Sequence, residues 1–182
     1  MSDQFWYKTK STQAEDPAVG HSIAYSATVT SRLITSRLME LLDSNARGSV
    51  HGGVIMRLVD ESAAIVAIKH SHHGVVTARI DRMDFIAPVF VGEVVTVYCA
   101  LNYVGRTSME VGVEVTAEKP RTGEVRKVVS SQLVFVAMDD QRHPINVPPL
   151  LPANDDEGQR IERARVRRKR IKRIEEELGE PI

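Results

Sequence analysis

The sequence predicts an α+β domain, an antiparallel sheet wrapped around one central helix, followed by a C-terminal helical extension. Three observations carry that prediction. One segment, Gly53–Lys69, has the length and apolar density of an enclosed helix. Four later segments have strand patterning, and the links between them are short enough to force antiparallel neighbours. The chain of 182 residues holds a single copy of this pattern, so the second half of any paired site has to come from another chain.

The bulk numbers narrow the partners. Lys+Arg and Asp+Glu both number 24, so the whole-chain charge points to no polyanionic partner. Cys99 is the only cysteine; it cannot form an internal disulfide and suits a reducing compartment. The opening residues, MSDQFWYKTK, lack the apolar stretch of a secretory signal, and no run of about eighteen apolar residues occurs. A cytoplasmic protein with no membrane span is expected.

Residues 1–20 are polar without usable periodicity and read as an arm. From Ser22 to Thr30 the apolar residues Ile23, Tyr25, Ala27 and Val29 alternate with polar ones, as a half-buried strand requires. Residues 31–50 are mixed and receive no firm assignment. The helix Gly53–Lys69 is apolar on nearly every side, through Val54, Ile55, Leu58, Val59, Ile65, Val66 and Ile68, so its own protein is expected to enclose it.

The strands that follow are Val75–Ile86 (stopped by Pro88), Glu93–Val104, Thr107–Glu118 and Val125–Met138. In the third, Met109, Val111, Val113, Val115 and Ala117 share one face. Gly105-Arg106 is a two-residue link with glycine first, which predicts a type II′ hairpin turn. Pro120 and Gly123 mark a longer hairpin loop. Consecutive hairpins would make the four strands a meander, and the sheet is the only cover available to the helix. This is the hotdog architecture, over residues 21–148. Beyond Pro148, Pro149 and Pro152, residues 149–182 form the extension, basic from Arg163 to Arg173 and acidic from Glu175 to Glu180. A weak stripe of Ile161, Ala164, Ile171, Ile174 and Leu178 predicts a surface helix there.

The chemistry gathers at the start of the central helix. Gly48-Ser49-Val50-His51-Gly52-Gly53 leads into it, where unpaired backbone N–H groups and partial positive charge meet. Gly52 and Gly53 leave room for a ligand oxygen to approach those groups, as an oxyanion hole requires, although a tight turn would use the same glycines. Asp60 lies two turns further on. A carboxylate inside an apolar helix is costly unless it is paired, with Arg57 as the nearest cation, or has a chemical task. Glu61 is the rival acid but points about 100° away. His51 could orient substrate or water, or cap the turn. His70, His72 and His73 resemble a metal cluster without a completing carboxylate, and they read as histidines favoured by the helix C-terminus. Cys99 reads as a core thiol.

At these residues the sequence resembles the cytosolic long-chain acyl-CoA hydrolases and their bacterial acyl-CoA thioesterase relatives. The likeness is strongest in GSVHGGVIMRLVDESAA (Gly48–Ala64) and continues in VVTARIDRMDFIAPVFVGE, GRTSMEVGVEV and VPPLLPANDDEGQRIE. The resemblance implies hydrolysis of acyl-CoA to free acid and CoA, without cofactor or metal. It implies that Asp60 is the catalytic acid. It matches Ser49 to a loop position that is commonly Asn or Asp, and Arg106, Thr107 and Ser108 to a segment near bound CoA. It further implies a homo-oligomer, a dimer of hotdogs often assembled as a trimer of dimers.

The expected mechanism has Gly52 and Gly53 N–H groups holding the thioester oxygen while Asp60 activates water or attacks directly. Asp60 stands about 10 Å along the helix from Gly53, too far to serve the same carbonyl, so a site shared between two antiparallel helices is expected. A catalytically silent acyl-CoA-binding hotdog is the alternative. A hotdog dehydratase ranks lower, since Asp60 has no helical histidine partner. No nucleic-acid partner is expected, although the basic helix could touch a phosphate backbone.

Overall fold

Alternating valines decide where the core lies. The structure, a computed structural model, describes residues 32–179. Strands β3 (Val94–Val104), β4 (Ser108–Lys119) and β5 (Glu124–Met138) form successive antiparallel hairpins. Met109, Val111, Val113, Val115 and Ala117 of β4 are all buried, on the face that their spacing predicts. Val95, Val97, Cys99 and Leu101 continue that layer on β3, and Leu133, Phe135 and Ala137 on β5. Helix α1 (Gly52–Ser71) packs into it through Ile55, Val59, Ala63, Val66 and Ala67. Phe135 has no exposed surface, so truncating it to alanine would cost about 3–5 kcal/mol.

The sheet order is β1-β3-β4-β5-β2, antiparallel throughout, with β1 at Arg32–Leu38 and β2 at Gly74–Phe85. The expected meander of four strands is therefore wrong at its first step. Strand β2 does not turn back onto β3. Residues 86–93 instead cross three strand spacings, roughly 14 Å, a span that a link of this length covers easily. The crossing is pinned on the way: Ile86 N–H donates to Val128 O at 2.8 Å, and Val50 N–H donates to Val89 O at 2.7 Å. At its end Glu93 accepts from Phe90 N–H at 2.9 Å and from both terminal nitrogens of Arg126 at 2.7 Å. Strand β1 falls in the stretch left unassigned from sequence, where an edge position leaves most of its side chains partly exposed. The strand expected at Ser22–Thr30 and the arm at 1–20 lie outside the described residues.

Two further expectations need correction. The β3–β4 turn is not type II′, because Gly105 is not at positive φ. A register shift between Leu101 and Tyr103 ends the pairing at Val104–Met109 and leaves residues 105–108 to turn. A Cβ at Gly105 would stand 2.9 Å from the Ser108 hydroxyl, so close approach is what favours glycine there. Helix α1, moreover, is not enclosed by its own chain. One sheet covers one side, and Met56, Ile65 and Ile68 remain 43%, 42% and 44% exposed on the other.

Helix α2 (Asp155–Leu178) covers the opposite face of the sheet. Glu110 lies between inward-facing Met109 and Val111, so it points outward, where Arg167 of α2 closes over it as an ion pair. Arg79 pairs with Glu175 at 2.5 Å, Arg168 with Asp81 at 3.4 Å, and Arg32 of β1 with Glu157 at 2.5 Å. Part of the basic block is thus spent holding α2 against the sheet. Its charge pattern alone reads as a solvated surface helix.

Candidate active site

The loop leading into α1 is built around Asn45. Its N–H donates to Ser49 O at 2.7 Å and its carbonyl accepts from Gly48 N–H at 3.0 Å, a closure that places Gly48 at φ +80°. The Asn45 side chain accepts from Arg47 N–H at 2.8 Å and donates to the Ser49 hydroxyl at 2.9 Å. His51 N–H donates to Asp43 O at 2.8 Å, and Arg37 holds the Asp43 carboxylate at 2.8 Å. The approach to the helix is therefore fixed from both sides.

His51 is the helix N-cap. Its Nδ1 accepts from Gly53 N–H at 3.0 Å, which occupies one of the two amides expected to form an oxyanion hole. Gly52, the first helical residue, has no intrahelical acceptor for its N–H, and that group makes no other hydrogen bond among the described residues. A donor at the positive end of a twenty-residue helix suits a developing negative oxygen.

Asp60 is half-buried on the uncovered side of α1, the side that also presents Gly53, Met56 and Ile68. Arg57 is not its partner: that guanidinium pairs with Glu61 at 2.7 Å, at the surface. Asp60 Oδ1 accepts instead from the Thr77 hydroxyl at 2.7 Å. A bulge between Thr77 and Arg79 makes this contact possible. In regular strand the two side chains would share a face; here Thr77 turns to α1 while Arg79 turns to Glu175 of α2.

Arg106, Thr107 and Ser108 sit in the β3–β4 turn. Arg106 is exposed, its carbonyl accepting from Val147 N–H, and Thr107 O accepts from Ala137 N–H, both at 3.0 Å. Ser108 is in register with Val136, which pairs with Val76, so the turn lies about 10 Å across the sheet from Thr77.

The remaining candidates separate. His70 is fully buried with Nε2 2.8 Å from Pro148 O, and burial pushes its pKa down, so a charge–dipole role does not describe it. His72 is the left-handed C-cap at φ 57°. No metal-binding group occurs among the described residues. The Cys99 thiol is buried and pushed up to about 12 by desolvation. No helix among the described residues is long and apolar enough to cross a membrane. Thr77 and Asn45 were not singled out by sequence reasoning. Thr77 gives no local signal, because its role depends on a bulge, whereas an asparagine three residues before Gly48 could have been flagged as a turn residue.

Residues 47–124 match the thioesterase superfamily. The chain is 40% identical over 108 residues to an uncharacterized acyl-CoA thioester hydrolase of Zymomonas mobilis, covering 59% of this chain and 72% of that one. It resembles an apo hexameric acyl-CoA thioesterase with a TM-score of 0.74 and 37% identity, covering 77% and 90% of the two chains. An acyl-CoA hydrolase of Staphylococcus aureus, solved with butyryl coenzyme A, coenzyme A and coenzyme A disulfide, matches with a TM-score of 0.66 and 34% identity, over 82% and 96%. That hydrolase has also been solved with alanine in place of an asparagine, an aspartate and a threonine. The three are spaced along it as Asn45, Asp60 and Thr77 are along this chain.

Proposed function

Because the chain belongs to the thioesterase superfamily, among its acyl-CoA thioester hydrolases, we propose that it hydrolyses fatty acyl-CoA to the free acid and CoA, with Asp60 as the reacting carboxylate. The observation that carries this reading is the Thr77–Asp60 pair, which holds a carboxylate in one orientation on an otherwise apolar helix face. The Gly52 N–H receives the thioester oxygen, and the Gly53 N–H joins it when the His51 ring gives up its capping bond. Water adds to the carbonyl carbon while Asp60 takes its proton, and the CoA thiolate leaves. Direct attack by Asp60, giving a mixed anhydride that water then opens, is the competing route; trapping of the acyl-Asp60 anhydride by hydroxylamine, or ¹⁸O in Asp60 after one turnover in ¹⁸O-water when water opens it at the Asp60 carbon, would identify it.

Gly52 and Asp60 are separated by about 12 Å along one helix, so one chain's glycine serves the other chain's aspartate. The uncovered Met56, Ile65 and Ile68 supply an apolar surface for the second helix, and the hexameric relative supports assembly of such pairs as a trimer of dimers. Arg106, with Thr107 and Ser108, takes the CoA phosphates. Asn45 fixes the loop through Ser49. The test is a panel of acyl-CoAs from acetyl to palmitoyl, with released thiol measured. Tight binding without thiol release from any member would make the chain a silent acyl-CoA binder and overturn the reading.

A further inference from the structure

Beside the first turn of α1 lies a cleft of about 290 Å³ whose every lining residue is apolar or glycine. Val50, Ile55, Val89 and Val129 form its buried floor, at 7%, 2%, 5% and 1% exposure. Phe85 and Ile86, at the end of β2, form its exposed rim. Gly52 belongs to the same wall, so the cleft begins at the residue whose N–H lacks an acceptor.

A thioester bound at that N–H extends two arms. The pantetheine arm carries two amides, which are expensive to bury without partners. The crossing link has few to give: Ile86 N–H is taken by Val128 O, Val89 O by Val50 N–H, and Pro88 O by Arg126 at 2.6 Å. Only the hydrocarbon arm suits such walls. Resting on the thioesterase reading above, we propose that this cleft holds the acyl tail, and that Phe85 is the residue that sets chain-length preference. Roughly 30 Å³ per carbon-sized group gives room for about ten carbons, which makes the best substrates medium-chain acyl-CoAs. A Cβ at Gly52 would stand 3.6 Å from the Phe85 ring, in ordinary contact, so ring and helix start already meet at the rim of the cleft.

The experiment is kcat/KM across the straight-chain acyl-CoAs from butyryl to palmitoyl, for the wild-type chain, Phe85→Ala and Ala87→Leu. Phe85 is 52% exposed, and Ala87 is half-buried in the link, packed against the edge of the core. Wild-type kcat/KM should climb about fourfold per methylene and level off near ten carbons. Phe85→Ala should move the plateau to longer chains, and Ala87→Leu, which fills the cleft, to shorter ones. An active wild-type chain whose profile neither variant shifts would overturn the cleft assignment and leave the hydrolase reading intact. An equal loss at every chain length would overturn it too, since the cleft would then serve the pantetheine arm. If the wild-type chain cleaves none of the panel, the hydrolase reading itself fails.

Discussion

Thr77 on β2 and Asp60 on α1 share one hydrogen bond of 2.7 Å, with the hydroxyl donating to Oδ1. Oδ2 makes no hydrogen bond among the described residues, which in the proposed mechanism leaves it for the reacting water. Replacing Asp60 by Asn removes the proposed reacting carboxylate while keeping the shape, and turnover should fall by about 10²–10⁴ with acyl-CoA binding retained. Thr77→Val removes only the orienting donor, so kcat should fall about 10–100-fold, and Thr77→Ser should restore most of it. Steady-state thiol release checks both. A Thr77→Val chain with unchanged kcat would show that Asp60 needs no such orientation.

The shared site can be tested by removing a single donor. Gly52 is the first helical residue, where proline is well tolerated, and His51 before it is extended, as a residue preceding proline should be. Gly52→Pro should therefore delete one N–H with little loss of fold. Gly52→Pro and Asp60→Asn chains, each inactive alone, should regain activity after subunit exchange, because each mixed dimer has one intact site. Exchange confirmed by native mass with no activity returning would refute a site built from two chains.

Arg106 is exposed in its turn, with no ion pair among the described residues to lose. Arg106→Ala should raise KM several-fold at low ionic strength with kcat little changed, and the effect should shrink in high salt as phosphate contacts are screened. The measurement is KM at two salt concentrations.

Acid should loosen the crossing link. Burial pushes the Glu93 carboxyl up, but donors from Arg126 and Phe90 N–H, with the charges of Arg126 and Lys119, together hold it below the usual carboxylate range. A carboxyl depressed in the folded state contributes stability above its unfolded pKa, and that contribution is lost as pH falls through the folded value. Glu93→Gln should thus lower the melting temperature by a few degrees at neutral pH, corresponding to about 1–2 kcal/mol. The gap to wild type should close below about pH 4. Calorimetry from pH 7 to pH 3.5 checks it.

The Cys99 thiol, pushed up to about 12, should be inert to disulfide reagents in the native protein at pH 8 and react fully once the chain is unfolded. Reaction kinetics with and without denaturant measure this, and thiol release from CoA can be followed in the native protein without interference.

The parts of this fold that repeat within one element were legible. The spacing of Met109, Val111, Val113, Val115 and Ala117 located the core face because strand periodicity is local. Asp60 stood out because a carboxylate conflicts with its apolar neighbours. Strand order was not legible, since residues 86–93 suit a hairpin loop or a crossing equally, and only the pairing of β2 with β5 decides. Thr77 was hidden for a related reason: a bulge in β2 brings it to Asp60, and bulges leave little trace in composition. The capping bond from Gly53 to His51 was weighed as one use of the histidine, but its effect on the glycine amide depends on a rotamer.

Strand order also governs when each segment finds its partner as the chain is synthesised. Arg32 of β1 must wait for Ala100, and Gly74 of β2 for Met138. At the ~5–20 residues per second of translation, β2 stays unpaired for roughly 3–13 s after it is made. The hairpins of β3, β4 and β5 close as they emerge, whereas α1 is made before them and waits with its apolar surface bare on every side. High contact order of this kind slows folding, so the nascent N-terminal half is the stretch that a holdase chaperone would bind. A chain released before residue 138 would leave β2 without its full partner strand and should aggregate.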